Sequence, residues 1–323
     1  MTGRVAPSDL GQRYALAAVW GLVVALFGAL RPDTFLTTGN FQAIFGSQAV
    51  LVVLTLALII PLTAGDYDLS IASVLSLAAM VVALLNVEHG WPVGWAILAG
   101  VLAGCFVGML NGGLVVLLQL DPFIVTLGSA TFVAGVVLWI SDSRTIGGIS
   151  DDLVDPVIVH DFLGVPLAFY YGLGLCIAVW YVLEYTPVGR RLLFVGRGRS
   201  VARLNGVRVG RIRWGALVAS ATISAVAGVL YAGSTGGADP SSGANLLLPA
   251  FAAAFLGATS ISPGRFNAWG SIIAVYFLVT GITGLQLLGL ESFVQQLFYG
   301  GALVVAVAVA RLARGRRAGA AEA

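Results

Sequence analysis

The sequence predicts an all-α membrane protein with about ten transmembrane helices and with both its N- and C-termini in the cytoplasm. Three observations lead there. Of 323 residues, 59% are hydrophobic and only 10% are charged, against about 25% charged in a soluble domain. The apolar residues fall in runs of about the 20 residues that a bilayer-spanning helix needs, without the alternation of a barrel. The arginines divide unevenly between the two sides that those runs define.

The runs cover residues 14 to 30, 43 to 62, 69 to 87, 93 to 118, 123 to 140, 166 to 184, 214 to 233, 246 to 260, 268 to 288 and 293 to 310. The first follows Arg4 and Arg13 and so resembles a signal peptide, but no small-residue cleavage pattern follows Ala29. Arg31, Pro32 and Asp33 lead straight into further hydrophobic sequence, so it is read as a retained helix. The 42 glycines suit helices that pack closely in lipid.

With ten spans and an inner N-terminus, the cytoplasmic side collects 15 of the 17 arginines: Arg4, Arg13, the eight from Arg190 to Arg213, Arg265, and the four from Arg311 to Arg317. Only Arg31 and Arg144 fall outside. Losing one early span would carry the eight-arginine loop to the wrong face. Residues 141 to 165, with Asp142, Asp151, Asp152, Asp155 and Asp161 against Arg144, are expected outside. The chain is read as one transmembrane domain over 1–323, with cytoplasmic tails at 1–13 and 311–323 and a cytoplasmic loop at 186–213.

Lysine is absent. A Walker-type phosphate loop and a Schiff base both need one, so the chain is not expected to hydrolyse ATP or to carry a cofactor itself. Cys105 and Cys176 lie in apolar runs and read as small packing residues. His89 and His160 read as solvated loop residues without ligand spacing.

Three polar segments interrupt the pattern. The first, TAGDYDLSIAS at 63–73, holds Asp66 and Asp68, which would be expensive in lipid. They reach either the inner interface or a water-filled path, and Asp68 or Ser70 is expected to cap the following helix. The second, GATSISPGRFNAWG at 257–270, repeats that grammar before a helix starting near Trp269. The third, residues 186–213, is expected to contact anionic lipid heads through its arginines. It also holds a short helix, with Ser200 as cap and Gly206 as its left-handed end, presenting Val201 and Leu204 as an apolar knob. As an exposed charge, Arg199 is expected to matter little.

In this order the segments resemble the permease family of bacterial ABC importers for ribose, xylose and related simple sugars. Thr63, Gly65, Asp68, Leu69, Ser70 and Ser73 match the family's TGGEFDLSVGS; Asn111-Gly112 followed by DPFIVTLG at 121–128 matches its NG and PPFIVTLG. Gly189, Arg190, Leu192, Gly196, Ala202, Arg203, Leu204 and Gly206 match its basic loop, and residues 249–270 its IAAVVLGGTS stretch. Ser200 replaces the usual acidic residue, Gly198-Arg199 the usual Asn-Pro, Ala72 a usual Gly, and Pro263 and Phe266 usual glycines.

The resemblance implies a sugar permease of the bacterial inner membrane. Its implied partners are a second permease subunit, identical or different, a cytoplasmic ABC ATPase that uses the ATP, and an extracytoplasmic sugar-binding protein; lipids surround it, and nucleic acid is no partner. It places Asp66, Asp68, Ser70, Asn111, Phe123, Thr126, Thr259 and Ser260 along the pathway. It places Arg190, Gly196, Arg199, Ser200, Ala202, Arg203, Leu204 and Gly206 at the ATPase contact. An ion-coupled secondary transporter is the rival reading, but the spans carry no clear central carboxylate to couple an ion gradient. A membrane enzyme is less favoured still, since HExxH, GxSxG and clustered His or Cys are missing.

Overall fold

A computed structural model describes residues 7–291 and 293–322, and side chains from 13 to 308 apart from residue 292. Arg4 and the side chains of Arg311, Arg314, Arg316 and Arg317 lie outside the described residues. The helices are α1 (Pro7–Leu30), α2 (Pro32–Phe35), α3 (Thr38–Ser47), α4 (Ala49–Thr63), α5 (Ile71–Ala83), α6 (Val93–Leu117), α7 (Pro122–Ile140), α8 (Asp151–Val154), α9 (Leu167–Tyr185), α10 (Pro187–Arg197), α11 (Arg199–Leu204), α12 (Val209–Thr235), α13 (Ala244–Gly257), α14 (Ala268–Leu287) and α15 (Phe293–Glu322).

Eight helical segments among the described residues are long and apolar enough to cross a membrane. Two shorter apolar helices, Ala244–Gly257 and Phe293–Ala308, stand where the eighth and tenth runs are expected. The helices form two compact units, residues 49–247 and residues 1–48 with 248–323.

In the larger unit, α4 is buried from Ala49 through Leu62 on every side, as a helix apolar all round must be. The long α12 packs against α4, α5 and α6. Helix α6 shows why. Gly100, Gly104, Gly108 and Gly112 fall one turn apart on one face, and a Cβ at Gly104 or Gly108 would meet Ala225 or Ala221 of α12 at 2.5 and 2.7 Å. The opposite face exposes Leu98, Leu102, Phe106, Leu110 and Leu114. Small residues inside and large ones outside invert the soluble pattern, because in lipid close backbone approach holds helices together.

Short pieces close the ends of this unit. Asp121 accepts from the amides of Phe123 (2.9 Å) and Ile124 (3.3 Å), capping α7 with Pro122 at its first position. The segment 141–166 contains strand β1 (Ile146–Gly147), α8, and the hairpin of β2 (Asp161–Phe162) and β3 (Val165–Pro166). Strand β1 pairs antiparallel with β4 (Gly237–Ala238), Ile146 opposite Ala238. Arg144 reaches Glu88 at 2.8 Å, and Thr145 donates to Asp239 at 2.8 Å. Both histidines are exposed, each ring about one hydrogen bond from a backbone carbonyl: His89 with Leu84 (3.1 Å) and His160 with Asp155 (3.0 Å).

In the smaller unit, Trp20 of α1 donates to Thr280 of α14 at 3.0 Å and stacks on Tyr276. Asn267 caps α14 by accepting from the Gly270 amide at 2.7 Å. Its own amide group donates to the carbonyls of Gly257 (3.2 Å) and Ser260 (3.0 Å), so one side chain folds the whole 257–270 break.

Candidate coupling site at the break between α4 and α5

Helix α4 stops at Thr63 because Gly65 turns the chain with φ +79°, a left-handed conformation that favours glycine. The turn carries Asp66 inward, fully buried. A buried carboxylate needs partners, and Asp66 has two. Arg213 of α12 grips it with two nitrogens, Nε at 2.7 Å and Nη2 at 2.8 Å; Arg199 of α11 reaches it at 2.6 Å and donates to the Gly65 carbonyl at 3.0 Å. The side chain of Arg213 is 13% exposed and that of Arg199 is 42% exposed. Arg199 is therefore no free surface charge, contrary to the expectation from sequence.

Asp68, also fully buried, accepts from the Ser70 amide (3.0 Å) and the Ser70 hydroxyl (2.6 Å) through one oxygen. Its other oxygen makes no hydrogen bond, and neither does the nearby buried hydroxyl of Ser220. Burial pushes the Asp68 carboxyl above its ordinary range; the donors at Ser70 and the closeness of Ser220 oppose this. Asp68 thus fixes Ser70, the residue before α5, in an Asx turn but accepts from none of that helix's amides, a correction to the expected cap. Ser70 itself caps nothing with its side chain. Instead the Ser70 hydroxyl accepts from Asn111 of α6 at 3.0 Å. The Leu69 amide donates to Thr126 of α7 at 3.1 Å, and the Thr126 hydroxyl lies 3.2 Å from the Tyr67 carbonyl.

Seven residues of irregular chain are thereby tied to α6, α7, α11 and α12. Asn111 also lines an apolar groove of about 590 Å³ between α6 and α7, with Ser129, Phe106 and Phe132. Phe123 is half exposed on α7 and makes no part of the knot. Thr259 and Ser260 stand in the other compact unit, where Thr259 donates to Leu256 (2.7 Å) and Ser260 to the Arg13 carbonyl (2.9 Å).

The basic loop folds as two helices. Thr186 caps α10. Gly196 lies so close to the Thr63 carbonyl that a Cβ would have no room. Helix α11 starts at Arg199 with Gly198 as its cap residue, so Ser200 sits inside the helix and does not cap it, a correction to the expected cap. The other end is as expected. Gly206 has φ +76°; its amide donates to Arg203 (3.0 Å) and that of Val207 to Ala202 (3.0 Å), a Schellman ending. Ala202 is buried with Val195 and Val209, while Val201 is 55% and Leu204 87% exposed. Arg190, Ser200 and Arg203 are exposed beside them.

Arg213 and Ser220 went unseen as site residues in the sequence. One signal for Arg213 was available, the need of a buried carboxylate for a counter-charge. With eight arginines in one loop, only folding selects which two. Among the described residues no group of three or more His, Cys, Asp or Glu gathers as a metal site.

The polar knot thus ties the connection between two candidate membrane-spanning segments, 38–63 and 71–88, to a basic loop. The sequence profile of the family described as branched-chain amino acid transport system / permease component matches residues 40–307, and the chain belongs to that family. It is 30% identical over 300 residues to the D-allose transport system permease protein of Escherichia coli, covering 93% of this chain and 92% of that one. It is 31% identical to the ribose import permease protein of Bacillus subtilis, covering 90% of each. Similarity to the autoinducer 2 import system permease protein of Salmonella typhimurium is 28%, over 91% of this chain and 89% of that one. No solved structure matches. The chain is a multi-pass permease component of an inner-membrane import system.

Proposed function

We propose that the chain is one of a pair of permease subunits, identical or different, of an ATP-driven importer that carries a monosaccharide by alternating access. A separate cytoplasmic ATPase docks on α10 and α11, and an extracytoplasmic binding protein delivers the sugar. The observation that carries this reading is the α11 turn: it is closed at its C-terminal end by Gly206, anchored from behind by Ala202, and exposes Val201 and Leu204 where a lone chain gains nothing by exposing them.

The substrate class follows the relatives whose names carry D-allose and ribose, and not the branched-chain amino acids of the family description. In this reading the chain crosses the membrane ten times with both ends inside, the two short apolar helices completing the eight longer ones. Asp68, Ser70, Asn111 and Thr126 set the position of helices along the pathway, Asp66 lies beneath them, and Phe123, Thr259 and Ser260 are further candidates for its walls.

Uptake of labelled D-allose, D-ribose and leucine into vesicles containing the chain with its ATPase and binding protein tests this. Sugar uptake should need ATP and survive collapse of the proton gradient. Sugar uptake by the chain alone under an ion gradient would favour the secondary transporter, and uptake of leucine alone would overturn the substrate class.

A further inference from the structure

We propose that Asp66 relays movement of the docking turn into α6 and α7, as a positioning residue that never meets the sugar. The inference rests on the reading of α10 and α11 as the ATPase contact. Asp66 is fully buried, yet one of its two arginines belongs to the exposed turn and the other to the central helix α12. The link to the turn is doubled: Arg199 holds both the Asp66 carboxylate and the Gly65 carbonyl, and Gly196 sits on Thr63 just before.

From Asp66 the chain reaches its other attachments within four residues. The Leu69 amide donates to Thr126 of α7, whose hydroxyl lies 3.2 Å from the Tyr67 carbonyl, and Ser70 accepts from Asn111 of α6. The segment is too short to absorb a displacement. Extended chain spans at most about 3.5 Å per residue, and these residues are fixed at nearly every second position. A shift of α11 that drags Asp66 must therefore shift α6 and α7 or break a buried ion pair. Breaking it would strip the buried carboxylate of one of its two arginines and the Gly65 carbonyl of its donor, which is unfavourable out of water.

The test uses the complex with its ATPase in lipid nanodiscs, with Cys105 and Cys176 replaced and one cysteine introduced at Gly198 on the turn or at Ser129 on α7. Labelling rates are compared with and without a non-hydrolysable ATP analogue, alongside co-purification of the ATPase and, in vesicles carrying the same complex, sugar uptake. In the unsubstituted complex both positions should respond to nucleotide. With Asp66→Asn the ATPase should still co-purify and position 198 still respond, while the response at 129 falls below two-fold and uptake drops more than ten-fold. Arg199→Gln should act in the same direction and Arg199→Lys should retain most uptake. If Asp66→Asn does not reach the membrane, Arg199→Gln decides alone. A response at 129 and uptake within two-fold of the unsubstituted complex in these variants would overturn the relay, as would no response at 129 in the unsubstituted complex. Failure of the ATPase to co-purify with the unsubstituted chain would overturn the docking reading and the relay together, and shows before any labelling.

Discussion

Gly196 on α10 rests against the carbonyl oxygen of Thr63 at the end of α4, with no space for a Cβ between them. The neighbouring atom is backbone, so a new side chain cannot be relieved by a rotamer change. Gly196→Val should lift the basic loop from the break, with an overpacking cost of about 1–3 kcal/mol, and uptake should fall at least ten-fold. Gly198→Ala is the control: its Cβ would meet only Val201, at 3.7 Å. Equal uptake by both variants would show that the close seat is unimportant.

Much of this fold was legible beforehand. Eight of the ten runs correspond to helical segments long and apolar enough to cross a membrane and the other two to shorter apolar helices, since in lipid a helix satisfies its own backbone. The helix end at Gly206 was readable from one residue type. The knot was not, because its partners are 41 to 147 residues apart, and periodicity carries no information at that range. Ser200 misled for a local reason: serine is a good cap, but the helix begins two residues earlier than a Ser200 cap requires, with Gly198 as its extended cap residue.

The docking reading makes the apolar pair on α11 decisive. Burying a Leu or Val contributes about 1.5–3 kcal/mol, or about 10- to 150-fold in affinity, whereas an exposed ion pair contributes about 0–1 kcal/mol. Leu204→Asp should release the ATPase without blocking membrane insertion, and Arg203→Gln should retain it. Gly206→Val should weaken docking too, since a β-branched residue resists φ +76°. Co-purification of the ATPase measures each; retention by Leu204→Asp and loss by Arg203→Gln would make the loop an electrostatic anchor.

Sidedness is testable with the same introduced cysteine at Gly198 and a second at exposed Asp152. In a background lacking Cys105 and Cys176, an impermeant thiol reagent added to intact cells should label 152 and spare 198. Labelling of both from one side would rule out the ten-span arrangement.

The last prediction concerns Asp68. Its carboxyl titrates above its ordinary range chiefly because it is buried, against the pull of its hydrogen bonds. A raised acid pKa in the folded state means that folding favours the protonated form, so stability is greatest below the unfolded value of about 3.9. It declines as pH rises from there through the folded value. Asn in place of Asp68 keeps an oxygen to accept from the Ser70 amide and hydroxyl, and its amide group faces the unpartnered Ser220 hydroxyl. The variant removes the buried charge and keeps the knot. In detergent, Asp68→Asn should lose clearly less thermal stability than the unsubstituted protein as pH rises from about 4. Asp68→Ala, which abandons both donors at Ser70, should be less stable than Asn at every pH. Parallel pH curves for the unsubstituted protein and Asp68→Asn would mean that the carboxyl does not titrate in the folded state over this range, and the assignment of a raised pKa would be wrong.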